Sequence, residues 1–85
     1  MDIKVNIIPY KEEECICLDY VTNAKIECIK NEDDILVRAN SEGLQFLAKL
    51  CLTLAQNDTP IGSHVHLDNF NFFSSNNINI IVEKD

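Results

Sequence analysis

The chain has 85 residues, of which 46% are apolar, and its fourteen acidic and seven basic side chains give a net charge of −7. This length suits a single small domain, residues 1–85, with one modest core, and it leaves little room for a deep enzyme cleft. The negative charge disfavours binding to nucleic acid or to an anionic membrane, and it favours a basic protein partner.

The chain is expected to be cytoplasmic and to hold reduced thiols. It shows neither the pattern of a signal peptide nor a long apolar run that could span a membrane. Cys15 and Cys17 share one face of a predicted strand with Cα atoms about 6.6 Å apart, which is the far limit for a disulfide. Cys51 falls on the apolar face of a predicted helix. We therefore interpret these cysteines and Cys28 as reduced packing residues.

Alternation of apolar and polar residues predicts four short strands in the first half of the chain. They cover residues 3–7, 15–20, 25–30 and 35–39, and a polar turn at 31–34 joins the last two. Because the links are short, an antiparallel meander is the simplest arrangement of these strands.

A helix is predicted to begin at Asn40 or Ser41, either of which can cap it, and to end near Gln56. The centre of its buried face is expected at Leu47, Leu50, Cys51 and Leu54. Its polar residues occupy a narrow stripe of roughly 80°, at about 100° per residue. That stripe consists of Gln45, Lys49, Thr53 and Gln56.

The narrow polar stripe leaves two interpretations of the helix open. Leu52 falls inside the stripe and Phe46 lies at its border. A surface helix normally shows water a wider polar face. Either the sheet curls around the helix, or part of the helix meets another chain, as in a homodimer through Phe46 and Leu52.

Two more strands are predicted at residues 64–67 and 78–83, on either side of an Asn-rich connection at 68–77. The order of elements is therefore ββββαββ. This order predicts an α+β fold, in which a mostly antiparallel sheet of about six strands carries one helix packed on one face.

Both histidines of the chain lie in the second-last strand, two residues apart. Alternate side chains of a strand share a face, so His64, His66 and Asp68 are expected on one side, opposite Val65 and Leu67. The polar side is a candidate partner-binding surface. The alternative is a small metal-binding or regulatory protein centred on His64, His66 and Asp68, although ligands on one strand do not readily surround a tetrahedral ion.

Two acidic runs are the other candidate partner-binding residues. They are Glu12, Glu13 and Glu14 in one run, and Glu32, Asp33 and Asp34 in the other. In a meander the turns that carry these runs lie at the same end of the sheet. The end of the helix is predicted to bring Asp58 to that end, and the last strand to bring Glu83 and Asp85. One end of the domain is thus expected to be strongly negative.

No catalytic arrangement is predicted from the sequence. Ser63 and His64 are neighbours on a strand and point to opposite faces, so they do not form a nucleophile–base pair. The two glycines, Gly43 and Gly62, do not form a phosphate-binding loop. A non-enzymatic protein that needs no cofactor is therefore expected.

The second half of the chain carries the segments EGL at 42–44, LA at 47–48, LAQ at 54–56 and GSHVHLD at 62–68. These segments resemble the small immunity proteins of bacterial polymorphic toxin systems, in the family numbered thirty-two. The resemblance covers about residues 40–83. It implies a cytosolic protein that binds and neutralises a cognate toxin domain without catalysis. Since many such toxins are basic nucleases, the acidic charge of the chain would suit the partner.

Overall fold

The computed structural model describes residues 2, 4–12, 18, 21–67 and 78–85. Within these residues the chain forms strands and one helix in the order ββαββ. They are β1 (Ile26–Asn31), β2 (Asp34–Ala39), α1 (Ser41–Leu54), β3 (His64–Leu67) and β4 (Ile80–Glu83). The predicted α+β class with one helix is therefore confirmed, and these four strands lie where the sequence places its last four.

The prediction of one six-stranded sheet is wrong, because the described strands form two separate antiparallel sheets, β1–β2 and β3–β4. Residues 4–7, the described part of the first predicted strand, are not in a strand. The second predicted strand, 15–20, lies outside the described residues apart from Leu18. A two-stranded sheet is stable only when it packs on something else, and both sheets contribute to one core with α1. Each described two-stranded sheet is thus stabilised by packing its apolar side chains against α1, and not by pairing with further strands of one large sheet.

A two-residue turn joins β1 and β2 and fixes their register. Asn31 faces Asp34, and the pairing continues to Ile26 opposite Ala39. Glu32, the first central residue of the turn, has a φ of 56°. Among the described non-glycine residues, only Glu32 and Asn23 have a positive φ. A positive φ at the first central position alone is typical of the type II′ turn, whose twist matches that of a hairpin.

The side chain of Asn40 joins the start of α1 to the start of β1. Its Oδ1 accepts hydrogen bonds from Gly43 N at 2.7 Å and from Lys25 N at 2.9 Å. Its Nδ2 donates to Asn23 O at 2.9 Å. Asparagine is among the preferred helix caps because its oxygen satisfies a free amide of the first turn. Of the two predicted caps, Asn40 is therefore the residue that is used.

The core combines the buried face of α1 with one face of each sheet. Its buried members are Ile26, Cys28, Phe46, Leu50, Leu54, Val65 and Leu67, with Leu50 and Cys28 fully enclosed. β3 supplies Val65 and Leu67, as its alternation predicted, and β1 supplies Ile26 and Cys28. Half-buried residues of β4 and of the segment before β1 pack around this cluster.

The buried face of α1 is rotated from the predicted one. Cys51 was expected at the buried centre and is exposed, whereas Thr53 was expected in the polar stripe and is buried. Thr53 can be buried because its hydroxyl donates to Lys49 O at 2.6 Å within the helix. A hydroxyl whose hydrogen bond is made locally costs little to bury.

The same rotation removes one of the two contact residues of the homodimer predicted through the helix. Phe46 is only 2% exposed and belongs to the core, so it is not available to a second chain. Leu52 is 45% exposed and lies on the outer face of α1. The predicted pair of contact residues is therefore split between the inside and the outside of the molecule.

Gln56, just beyond α1, ties the segment before residue 12 to the helix. Its Oε1 accepts from Tyr10 N at 2.9 Å, and its Nε2 donates to Ile8 O at 3.2 Å and to Thr53 O at 3.0 Å. The chain at residues 8–10 is thus held by an amide side chain and not by a strand ladder.

The two described thiols should differ strongly in reactivity. Burial raises the pKa of the Cys28 thiol, and Cys28 reacts only after the core opens, whereas Cys51 is exposed. We expect iodoacetamide to modify Cys51 in the native protein roughly a hundredfold or more faster than Cys28, because opening the core costs several kcal/mol. Peptide mapping after timed labelling measures both rates, and the unfolded protein provides the control. Equal native rates would contradict the burial of Cys28.

Candidate partner-binding surface

The outer side of the β3–β4 sheet presents both histidines to solvent. His64 and His66 are exposed while Val65 and Leu67 are buried, which confirms the predicted division of faces. The two rings approach edge to face with centroids 5.0 Å apart, and His64 Nδ1 lies 3.1 Å from Gly62 O.

The opposing strand adds a carboxylate and an apolar side chain to this surface. Glu83 lies opposite His64 and Ile81 lies opposite His66. Both β4 residues are exposed. We call His64, His66, Ile81 and Glu83 the histidine face. It offers two rings that can donate or accept hydrogen bonds, one anionic acceptor and one apolar contact.

The structure gives the metal-binding alternative no further support. Within residues 2, 4–12, 18, 21–67 and 78–85, no three His, Cys, Asp or Glu side chains are placed to hold a metal ion. Asp68, the third ligand of that alternative, lies outside the described residues. A tetrahedral zinc site needs three or four converging ligands, and the two histidines provide two.

Two of the acidic residues come together near the end of α1. Glu12 and Asp58 line one open cavity of about 370 Å³ with Tyr10 and Pro60. This proximity was predicted, although from a single meander sheet that the described strands do not form. Glu13 and Glu14 lie outside the described residues.

The end of β4 lies beside the same loop. Lys84 Nζ donates to Gln56 O and to Thr59 O, each at 2.7 Å. The lysine therefore holds the loop that carries Asp58 against the end of β4. Glu83 and Asp85, the neighbours of Lys84, are exposed.

Of the acidic run at the β1–β2 turn, Asp34 lines a different cavity. Glu32, Asp33 and Asp34 are all exposed. Asp34 lines an open groove of about 550 Å³ whose other residues all come from β1 and β2. This groove shares no residue with the cavity of Glu12 and Asp58. The convergence of the two runs at one end of the domain stays a prediction.

Two apolar surfaces are exposed, and of their residues only Leu52 was predicted from the sequence to face outward. One is β2, whose Ile35, Leu36 and Val37 are exposed. The other is the outer side of α1, where Leu44 and Ala48 line an open cavity of about 640 Å³ with the segment 4–6. Spacing by four residues, from Leu44 through Ala48 to Leu52, was the sequence signal for the second surface.

No helix within the described residues has the length and hydropathy that crossing a bilayer requires.

Comparison with known families identifies the class of the protein as that of the immunity proteins. Residues 34–85, more than half of the chain, match the family described as immunity protein 32, and the chain belongs to that family. The resemblance drawn from residues 40–83 is thereby confirmed. The match begins at the first residue of β2 and includes α1 and the histidine face. No curated protein and no solved structure matches the chain.

Proposed function

We propose that the chain binds a cognate bacterial toxin domain in the cytoplasm and neutralises it by steric and electrostatic block, without catalysis of its own. The observation that carries this proposal is the family match over residues 34–85. The net charge of −7 favours a basic toxin, because opposite net charges accelerate encounter and like charges oppose it.

The residues proposed to contact the toxin belong to the two acidic runs and the histidine strand. They are Glu12, Glu13, Glu14, Glu32, Asp33, Asp34, His64, His66 and Asp68. The members within the described residues are all exposed, as a contact surface requires. Polar residues around an interface set the association rate and the partner choice, while buried contacts at its centre supply most of the affinity.

The direct test is inhibition of a toxin domain encoded beside the gene for this chain. The purified chain is expected to form a stoichiometric complex with the toxin and to abolish its activity, and co-expression should restore growth of toxin-producing cells. Loss of toxin activity without a complex, or with far less than stoichiometric protein, would point to an enzymatic mechanism and contradict the proposal.

Charge reversal should slow formation of that complex. We expect Glu12→Lys and Asp33→Lys each to lower the association rate with a basic toxin, together by roughly tenfold at low salt, and to weaken its salt dependence. The free energy of unfolding should change by less than about 0.5 kcal/mol, since both residues are exposed.

Asp2→Lys is a matched control, because it makes the same charge change at an exposed residue outside the proposed surface. Stopped-flow association at several salt concentrations measures the effect. Association rates that fall equally for the control and the two variants would assign the effect to net charge and remove these residues from the interface.

A further inference from the structure

Strand β2 is an exposed edge with an unusual composition. Among the described residues it pairs with β1 alone. Ile35 is 56% exposed, Leu36 44% and Val37 43%. Soluble proteins commonly protect such edges with lysine, proline, a bulge or a covering element, because an apolar edge is a template for pairing with another strand. Neither lysine nor proline occurs among the three exposed apolar residues of β2.

The register of the hairpin shows which backbone groups of β2 point outward. Asn31 and Asp34 flank the two-residue turn, so they exchange hydrogen bonds with each other. Hydrogen-bonded and non-hydrogen-bonded pairs alternate along an antiparallel ladder. The N–H and C=O groups of Leu36 therefore face β1. Those of Ile35 and Val37 face away from it and can accept a further strand.

We propose that β2 pairs antiparallel with β2 of a second copy of this chain, with the two-fold axis beside Leu36. In that register Leu36 lies opposite its own symmetry mate, and Ile35 lies opposite Val37 of the partner subunit. The outward backbone groups of Ile35 and Val37 then form hydrogen bonds across the axis. The two hairpins become one four-stranded sheet in the order β1–β2–β2–β1.

Charge complementarity selects a second copy as the occupant of this edge. Asp34 and Arg38 are equally distant from Leu36, at opposite ends of the apolar segment. The register centred on Leu36 therefore places each Asp34 opposite Arg38 of the partner subunit. Directly opposed side chains of neighbouring strands have Cβ atoms about 4.5–5.5 Å apart, within reach of an ion pair. A strand with this pattern is complementary to itself.

The existing contacts of Arg38 leave it available for this role. Its Nη1 lies 3.7 Å from Glu27 Oε2, and the arginine side chain is 66% exposed. In the dimer Arg38 would sit between Glu27 of its own subunit and Asp34 of the partner subunit. All three side chains project from the same face of the sheet. Glu32 and Asp33 lie beyond the paired segment and remain exposed.

The side chains on the other face also complement each other. Ile35 and Val37 lie on the face of Cys28, since Val37 is opposite Cys28 in the hairpin. Pairing therefore brings two copies of each residue together in one apolar group. Because the interface is small, we expect a dissociation constant on the order of 1–100 µM.

Sedimentation equilibrium of the chain alone, at increasing concentration, tests the dimer independently of any toxin. Asp34→Arg and Arg38→Asp each place like charges opposite one another at two positions of the symmetric interface. Each variant should have a dimer dissociation constant about tenfold or more above that of the wild-type chain. Asp85→Arg and Lys4→Glu make the same charge changes at exposed residues outside β2 and should leave the dimer intact.

Mixing the two β2 variants provides a sharper test. Each variant then presents the charges that the other lacks, so an equimolar mixture should form a heterodimer near the wild-type affinity while each variant remains largely monomeric. Circular dichroism of each variant should show an unchanged fold, since both residues are exposed.

Three results would overturn the proposal. The first is a wild-type chain that stays monomeric up to about 1 mM, a dissociation constant that corresponds to a binding free energy of about −4.1 kcal/mol. The second is a dimer whose affinity changes no more in the β2 variants than in the controls. The third is an equimolar mixture of the two β2 variants that associates no better than either variant alone. If the chain is monomeric and its β2 amides become protected from hydrogen exchange on adding a toxin, the occupant is the toxin and the dimer is wrong.

Discussion

Replacing Leu50 with alanine is expected to lower the free energy of unfolding by about 2–5 kcal/mol. Leu50 is fully buried in the middle of α1 and belongs to the core shared with both sheets. The truncation removes apolar contacts and leaves a cavity that the neighbouring strands cannot fill completely. A domain of this size has a total stability of only about 4–13 kcal/mol, so the loss is a large part of it.

Leu52→Ala is the matched control for this prediction. It makes the same chemical change in the same helix, at a residue that is 45% exposed. We expect it to cost less than about 1 kcal/mol, because part of the side chain is already in water. Urea denaturation of both variants measures the difference. Similar losses for the two variants would mean that the buried face of α1 is oriented differently from the one described.

Replacing Gly43 with alanine should lower the free energy of unfolding by about 1–3 kcal/mol. In a helix interior this change normally stabilises by about 1 kcal/mol. At Gly43, however, a Cβ atom would overlap Lys25 O and would lie 3.0 Å from both Ala39 Cβ and Asn40 Oδ1. The glycine is therefore required by the close approach of the helix start to the backbone before β1.

Gly62→Ala separates this steric effect from conformational strain. A Cβ at Gly62 would meet no atom within 4 Å, but the residue has a φ of 91°. Alanine there should cost about 1–2 kcal/mol through the backbone alone. Thermal and urea unfolding of both variants provides the comparison, with Gly62→Asn as the milder change at a positive φ. An unchanged or increased stability of Gly43→Ala would rule out the close approach.

Local patterns in the sequence were sufficient for the features that depend on neighbouring residues. The period of two placed His64 and His66 on one side of β3 and Val65 on the other, because strand geometry leaves no other choice. The polar turn between β1 and β2 and the cap of α1 were likewise predicted, since turn and cap chemistry act over three or four residues.

Features set by contacts distant in the sequence could not be read in this way. Which strands share a sheet depends on where each apolar face is buried, and the short links suggested one sheet where the structure has two. The orientation of α1 was mispredicted because hydrophobicity favours Cys51 over Thr53. The hydrogen bond from Thr53 to Lys49 O makes the opposite choice acceptable.

The candidate site shows the same division between local and distant information. The exposure of both histidines was predicted from their strand, whereas the exposed edge of β2 was not. An Ile-Leu-Val run is typical of a buried strand. Residues 35–37 therefore do not by themselves indicate that β2 is at the edge of the described sheet. The cavity between Glu12 and Asp58 joins residues far apart in the chain. Their proximity was predicted from a six-stranded meander, which the described strands do not form.

The hydrogen bonds of Asn40 make helix initiation and strand docking cooperative. Asn40 Oδ1 accepts hydrogen bonds from the first turn of α1 and from Lys25 N, and Asn40 Nδ2 donates to Asn23 O in the segment before β1. Starting a helix is its least favourable step, since several residues must be ordered before the first hydrogen bonds compensate. Here the residues that start α1 are ordered by the same side chain that positions β1. The first turn of the helix therefore cannot fray without releasing the segment that leads into the hairpin, and the two are expected to open as one unit.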